Sequence, residues 1–260
     1  MIYAGCDLGI VSAKIAIVRD GDILTAEVVP YDSHPRQAAE EVLDRALVKA
    51  GLQREDISQC LSTGYGKDAV SYATGTVAPL VCVHRAIRKL NPNIRTAMDV
   101  GGHTFRAFNT AEDGRMVEIA VTDQCAAGTG KFVDCMAEIM EESVEELSRA
   151  ALVSNDPVPV SNTCVIFAES EVISAIHSGR DQLDIFAGVA EGVAAKIVGH
   201  LTRIAVIEEV AIVGGVAKNS VVVRELETKL GVKFADPGID PQVVGALGAA
   251  LTAQDQTEIA

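Results

Sequence analysis

Apolar and polar residues alternate with a period of two in two separated stretches, and each stretch predicts a β-hairpin. The first follows "IYAGCDLG", an apolar strand ending in an acid and a glycine, and runs "SAKIAIVRDGDILTAEVV" around the turn pair Asp20-Gly21. The second follows "RTAMDVGG" and runs "TFRAFNTAEDGRMVEIAV" around Asp113-Gly114. Asp7-x-Gly9 matches Asp99-x-Gly101 at an offset of 92, and the two Asp-Gly turns match at 93. The chain therefore contains an internal duplication of a supersecondary unit.

Between and after the hairpins the period lengthens to that of a helix. "HPRQAAEEVLDRALVKAGL" places Ala39, Val42, Leu43, Ala46 and Leu47 on one face and stops at Gly51. "GTGKFVDCMAEIMEES" does the same with Phe132, Met136, Ile139 and Met140, and "FAESEVISAIHSG" with Val172, Ile173 and Ile176. "DIFAGVAEGVAAKIVGHLTRI" predicts a long helix of small residues. A strand "EEVAIVGG" then leads into a helix "VAKNSVVVRELETKLG", and "VVGALGAALTA" opens a last Gly-Ala-rich helix. No Pro/Ser-rich linker interrupts the chain. The expected architecture is α/β, with two duplicated lobes around a cleft: residues 1–94, then residues 95–260. The final helix is free to return to the first lobe.

Composition narrows the partners. A net charge of −14 opposes nucleic acid and anionic membrane surfaces, which repel an acidic protein. No apolar run approaches the ~20 residues of a membrane span. The N-terminal "MIYAGCDLGI" lacks the basic and apolar regions of a signal peptide, so a cytoplasmic location is expected. The six cysteines (Cys6, Cys60, Cys82, Cys125, Cys135 and Cys164) do not form a disulfide-framework pattern; they are core residues or bind metal.

Three glycine-bearing turns follow strands: "DLGIVSAK", "DVGGHT" and "IVGGVAKN". Glycine lets backbone N–H groups approach an anion, and the helix after Gly214-Gly215 offers its N-terminus. Such turns can also be plain connections, but three of them, two in a duplicated frame, favour phosphate binding. Gly9, Ser12 and Lys14 in the first turn, and Gly101, Gly102 and Thr104 in the second, are the candidate contacts. Asp7 and Asp99 end the duplicated strands, where a carboxylate holds Mg²⁺ or orients water. His103 either orients an attacking water or is a solvated loop residue. Lys218 and Asn219 either touch nucleotide or form a polar first turn, and Gly245 with Ala246 closes the expected pocket.

In order and content, these turns resemble the actin, heat-shock-ATPase and sugar-kinase superfamily. Within it, "STGYGK", "DQCAAGTGKF", "NTCVIFAESEVIS" and "VGGVAKN" resemble the activators of 2-hydroxyacyl-CoA dehydratases and the ATPase subunits of benzoyl-CoA reductase, over essentially the whole chain. The resemblance implies an actin-like fold that binds ATP and ADP with Mg²⁺. It also implies one [4Fe-4S] cluster shared between two identical or related subunits. ATP hydrolysis would drive a low-potential electron into an acyl-CoA dehydratase or aromatic-ring reductase, with a ferredoxin-like protein as donor.

The cysteines agree with that implication. An iron–sulfur cube takes four thiolates, and only Cys125 and Cys164 share a setting, each just before a helix. Two copies about a twofold axis supply four. A helix N-terminus stabilises thiolate and anionic cluster alike. Gly128 and Gly130, with Ala126 and Ala127, are small enough to let backbone amides reach the sulfurs. Cys6, Cys60, Cys82 and Cys135 are expected in the core, and Glu169 and Glu171 are expected to point away from a negative cluster.

Two departures from the resembled family bear on hydrolysis. Its first phosphate turn carries hydroxyl residues directly after the glycine, where this chain has Ile10 and Val11. Its second reads Gln then Asp, where this chain has His103 and Thr104. A weakly hydrolysing subunit of a heterodimeric benzoyl-CoA reductase module is one alternative; a metal-free small-molecule kinase is the other.

Overall fold

A computed structural model describes residues 1–123 and 129–259. The chain folds as two compact units, one of residues 1–94 and 236–260, the other of residues 95–235. No helix among the described residues is long and apolar enough to cross a membrane.

The first unit opens with β1 (Ile2–Leu8), β2 (Ser12–Arg19) and β3 (Asp22–Pro30), followed by α1 (Pro35–Ala50), β4 (Ile57–Thr63), the short β5 (Gly75–Thr76) and α2 (Pro79–Leu90). Its sheet runs β3-β2-β1-β4-β5, antiparallel through the hairpin and parallel from β1 onward. Alternation along β1 sends Ala4, Cys6 and Leu8 into one core with Val42, Leu43 and Leu47 of α1. Tyr3, Gly5 and Asp7 face the other way.

The second unit repeats the plan with β6 (Thr96–Val100), β7 (Thr104–Thr110) and β8 (Met116–Asp123). It continues with α3 (Gly130–Ile139), α4 (Val144–Ala150), α5 (Val165–His177), α6 (Gln182–Leu201), β9 (Val210–Val213) and α7 (Ser220–Leu230). The sheet order is β8-β7-β6-β9, with β6 and β9 parallel. The duplication extends to a register shift in each hairpin, between Ile17 and Val18 and between Phe108 and Asn109. Met98, Val100, Phe105 and Ala107 face a core filled by Phe132, Met136, Ala168, Val172 and the apolar face of α6.

The chain closes with α8 (Val244–Ile259), which packs on β1 and α2. The second unit therefore ends at Ala235 and not at the C-terminus. The small residues of "VVGALGAALTA" are the reason. A side chain on Gly5 would meet the Ala246 carbonyl at 2.1 Å, so only a glycine face admits this helix so close to the strand.

Several elements differ from the sequence expectation; β5 and α4 go unpredicted, and three others show why. β4 is buried along its last four residues, on both faces, so it lacks the alternation that marks a strand. α2 is likewise absent from the predicted set, although Pro79 in its first turn and Cys82, Val83, Ala86 and Ile87 at helical spacing mark it. The predicted helix from Val216 is instead a 3-10 turn over Gly215–Lys218, after which Asn219 restarts the chain as α7.

Candidate functional site

Each unit carries the same cluster at the end of its first strand. Asp7 on β1 stands opposite Lys14 on β2, and the Lys14 Nζ lies 3.7 Å from Asp7 Oδ2. Asp99 on β6 stands opposite Arg106 on β7, with Arg106 Nη1 3.3 Å from Asp99 Oδ2. The turn that follows is closed identically: the Gly9 N–H donates to Ser12 O at 3.0 Å, and the Gly101 N–H to Thr104 O at 2.9 Å. Arg106 is absent from the sequence prediction, yet it repeats Lys14 at the same offset of 92 as the aspartates. That offset is the signal that finds it.

The parallel neighbour of each strand supplies a glycine. β4 ends at Thr63, opposite Asp7, and β9 ends at Val213, opposite Asp99. Gly64 and Gly214 come next with φ of +89° and +87°, a left-handed conformation that disfavours any side chain. A Cβ on Gly64 would sit 2.3 Å from Asp7 Oδ1; one on Gly214 would sit 2.8 Å from Asp99 Oδ1 and 2.5 Å from Val100 O. Gly64 escapes the sequence reading as a site residue, since no offset relates it to another glycine turn.

The surroundings of the two turns differ. In the first unit, the Tyr31 hydroxyl donates to the Gly9 carbonyl, and the Tyr31 N–H donates to Val11 O at 3.1 Å. Lys14 Nζ also donates to Ser12 O at 3.3 Å. Gly245, in the first turn of α8, lies against Asp7, where a Cβ would come within 3.1 Å of Oδ2. Ala246 is buried beside it. In the second unit, Arg106 Nη1 also donates to Thr104 Oγ1 at 3.4 Å, and His103 is half-buried in the turn. There the N-terminus of α3 grips the turn: the Gly130 N–H donates to Gly101 O at 3.0 Å and the Lys131 N–H to Gly102 O at 2.9 Å.

One turn along α3 from Gly130 lies Asp134. Burial pushes its carboxyl above the usual range, and nearby Lys131 opposes that shift. His103, in the gripped turn, lowers it slightly as well. Lys218 ends the 3-10 turn after Gly214-Gly215. Asn219 is buried and its Oδ1 caps α7, accepting from the Val222 N–H at 3.1 Å and from Ser148 Oγ at 3.0 Å. Its carboxamide oxygen is thus committed to structure, and only its NH₂ is left for any ligand role.

Cys164 occupies the N-cap of α5, in extended backbone, and is half-buried. The first N–H groups of a helix have no intrahelical acceptor, so they gather around this sulfur's end of α5. The segment before it is braced twice: Glu171 accepts from the Ser161 N–H at 2.5 Å, and Asn162 Nδ2 donates to Gly192 O at 2.6 Å. Glu171 is therefore turned onto the backbone, and Glu169 is exposed. Cys125 and Gly128 lie outside the described residues. Cys6, Cys60 and Cys82 are fully buried, and burial pushes the thiols of Cys6 and Cys82 up to about 12. Cys135 is less buried than predicted, at the edge of the core between α3 and its neighbours, and burial raises its thiol too.

The residues present fit a nucleotide in three ways. The glycines at 64, 214 and 245 let backbone approach the carboxylates more closely than a Cβ would allow. The Ser12 hydroxyl and the Asn219 NH₂ are buried without a hydrogen-bond partner among the described residues. Carboxylates at the strand ends suit Mg²⁺, which would compete with Lys14 and Arg106 for them. A half-buried thiol at a helix N-terminus fits an iron–sulfur ligand, whereas the three buried thiols do not. Two surface hollows of about 700 and 610 Å³ in the second unit, one by Glu227 and Lys233 and one by Arg95 and Glu118, contain none of the predicted residues.

Known proteins are similar to this chain over nearly their whole length. A 2-hydroxyisocaproyl-CoA dehydratase activator of Clostridioides difficile is 37% identical over 258 residues, 99% of this chain and 97% of that protein. A benzoyl-CoA reductase subunit of Thauera aromatica is 28% identical, covering 96% of this chain and 92% of that protein. The solved structure of the activator of the 2-hydroxyisocaproyl-CoA dehydratase from Clostridium difficile, with bound ADPNP, superposes with a TM-score of 0.94. It is 37% identical and covers 100% of this chain and 96% of that one. The fold is accordingly the actin-like α/β plan expected from the sequence. Residues 4–253, which take in both strand-end turns, Cys164 and the first ten residues of α8, match one family throughout: the chain belongs to the BadF/BadG/BcrA/BcrD ATPase family.

Proposed function

We propose that this ATPase activates an acyl-CoA enzyme by coupling ATP hydrolysis to the delivery of one low-potential electron. The observation that carries the reading is Cys164 at the N-cap of α5, half-buried while three other thiols are sealed in the core. With Cys125 it gives one chain two cysteines in matching sequence settings, and a second copy completes a set of four. A [4Fe-4S] cluster held there supplies the redox couple. The chain's own contribution is to fix Cys164 on a braced segment and to hold helix N–H groups toward the sulfur, which favours the thiolate.

In the nucleotide sites, Gly9–Ser12 and Gly101–Thr104 offer turn backbone to phosphate, with Asp7 and Asp99 as the carboxylates for Mg²⁺ or water. Lys14 and Arg106 supply positive charge at the same strand ends. His103 is the group proposed to orient the attacking water; the Gly130 N–H is given to Gly101 O, which leaves Gly128 as the small residue proposed to free backbone for the first cysteine. Gly214, Gly215, Lys218 and the NH₂ of Asn219 are the proposed contacts on the nucleoside side. The partner favoured is a 2-hydroxyacyl-CoA dehydratase, because identity to its activator exceeds that to the benzoyl-CoA reductase subunit. A ferredoxin-like protein is the proposed donor. Ile10, Val11, His103 and Thr104 leave fewer hydroxyl and carboxylate groups in the turns, which favours slow hydrolysis.

Anaerobic purification with iron and acid-labile sulfide analysis tests this. The wild-type chain is expected to hold about four irons per two chains. Cys164→Ala and Cys125→Ala each abolish iron binding with the circular dichroism of the fold unchanged. Full iron in either variant overturns the ligand assignment. An iron-free wild type that phosphorylates a small molecule replaces the whole reading with the kinase alternative.

A further inference from the structure

The turn after β1 is braced by a residue from outside it. Tyr31, which follows β3, makes two bonds to that turn: its N–H donates to Val11 O at 3.1 Å, and its hydroxyl donates to Gly9 O. The ring is half-buried against the core of the first unit, so the hydroxyl is delivered from a fixed position.

A peptide group is planar, and its carbonyl and N–H point in opposite directions. The Gly9 carbonyl shares its plane with the Ile10 N–H, so a donor that holds the first also aims the second. The Ile10 and Val11 N–H groups have no acceptor among the described residues. Successive backbone N–H groups left open in a turn form a concavity suited to an anion. The carbonyls around them are engaged elsewhere: Gly9 O and Val11 O by Tyr31, and Ser12 O by the Gly9 N–H and Lys14 Nζ. Glycine is the residue freest to turn its peptide over, so holding the Gly9 carbonyl takes a donor from outside the turn.

The duplicated turn holds the equivalent peptide. Gly101 lies 92 positions after Gly9, and its carbonyl accepts from the Gly130 N–H at 3.0 Å. One donor is a tyrosine side chain and the other a helix N–H, yet both take the same carbonyl of the repeat.

We infer that Tyr31 is a positioning residue for nucleotide phosphate: by holding the Gly9 carbonyl, its hydroxyl sets the Ile10 N–H toward the anion. This rests on the reading of Gly9–Ser12 as a phosphate turn. It also names what stands in for the hydroxyl side chains absent at Ile10 and Val11, since backbone N–H groups meet the anion and a tyrosine hydroxyl steadies them from behind. Burial, with the charge of Asp7, pushes the Tyr31 hydroxyl above its ordinary range, so it keeps the proton it donates at neutral pH.

Tyr31→Phe removes the hydroxyl and keeps the ring in the core. Tyr72→Phe is the matched control, because the Tyr72 hydroxyl also donates to a backbone carbonyl of the first unit, Ala39 O of α1, at 2.9 Å. Calorimetry on the full-length chains measures affinity for ADP with Mg²⁺ and for adenosine, with unfolding midpoints alongside.

In Tyr31→Phe the dissociation constant for ADP is expected to rise about threefold to tenfold, the worth of one neutral hydrogen bond. Adenosine affinity stays as in the wild type, and Tyr72→Phe binds both ligands as the wild type does. A Tyr31→Phe chain that binds ADP as tightly as the wild type overturns the inference, whatever its unfolding midpoint. So does an equal loss for adenosine, or an equal loss in Tyr72→Phe, either of which makes the effect a general loosening of the unit. A wild type that binds ADP no more tightly than adenosine removes the phosphate reading itself, and the inference with it.

Discussion

The two strand-end turns share a plan but not a neighbourhood. Both place an aspartate across from a basic residue, close a four-residue turn with the same glycine-to-carbonyl bond, and press a left-handed glycine against the carboxylate. In the first unit the turn is tied to Tyr31 and the aspartate is covered by α8 at Gly245. In the second unit the turn carbonyls are taken by α3, the helix that follows the Cys125 motif. Duplication thus preserved the turn itself and diverged in what grips it from behind. One half ties its turn to a tyrosine side chain, the other to the backbone of a helix N-terminus.

The shared part of the plan breaks most severely at its glycines. Gly64→Ala and Gly214→Ala each force a side chain into left-handed backbone and into contacts of 2.3–2.8 Å with a carboxylate or carbonyl. Each should cost about 2–4 kcal/mol, from backbone strain plus overpacking. Denaturant unfolding measures this, and equal losses in the two variants would show that the halves use the glycine for the same purpose. A loss under about 0.5 kcal/mol, the size of an ordinary surface change, would show that the strand ends relax easily.

A smaller effect separates the cations. Lys14→Met and Arg106→Met each leave a partly buried carboxylate without its ion partner, at about 1–3 kcal/mol. Arg106→Lys should recover less than Lys14→Arg does, because the planar guanidinium holds Nη1 between Asp99 and Thr104 in a fixed orientation that a flexible, more strongly hydrated ammonium keeps less well. Unfolding and ADP affinity, measured on all four variants, check this ranking.

The smallest effect lies on the gripping helix. Burial raises the Asp134 carboxyl, so its ionised form is disfavoured in the folded state. Stability is then lost as pH rises from the unfolded carboxyl range through the raised folded value. Lys131 and His103 temper the loss, while Glu138 and Glu145 add to it. Asp134→Asn should be slightly more stable than wild type at neutral pH and indistinguishable below the ordinary aspartate range. Unfolding midpoints across pH 3 to 8 test that, and a variant less stable at neutral pH would show Asp134 held by a partner that favours its charge.

Much of this molecule is legible in its pattern of residues. Period-two alternation places both hairpins, the matched Asp-x-Gly motifs announce the duplication, and the two cysteine motifs carry the family resemblance. The reading fails where burial removes pattern: the last four residues of β4 are buried on both faces and show no alternation. At Asn219 the sequence leaves a ligand contact and a polar first turn both open, and the structure shows its carboxamide oxygen capping α7. Arg106 is recoverable in principle, since the offset that pairs the aspartates also pairs it with Lys14.

Sequence alone determined the local pieces: which segments are strands and helices, where glycine is needed, and which thiols stand before helices. These follow from periodicities and steric rules that act over a few residues. Tertiary structure alone decided that the last helix belongs with the first strand, that Gly64 and Gly214 are equivalent, and that α3 hangs from the second turn. Those facts join residues between about 30 and 240 positions apart, and only close packing, which no local pattern encodes, brings them into contact.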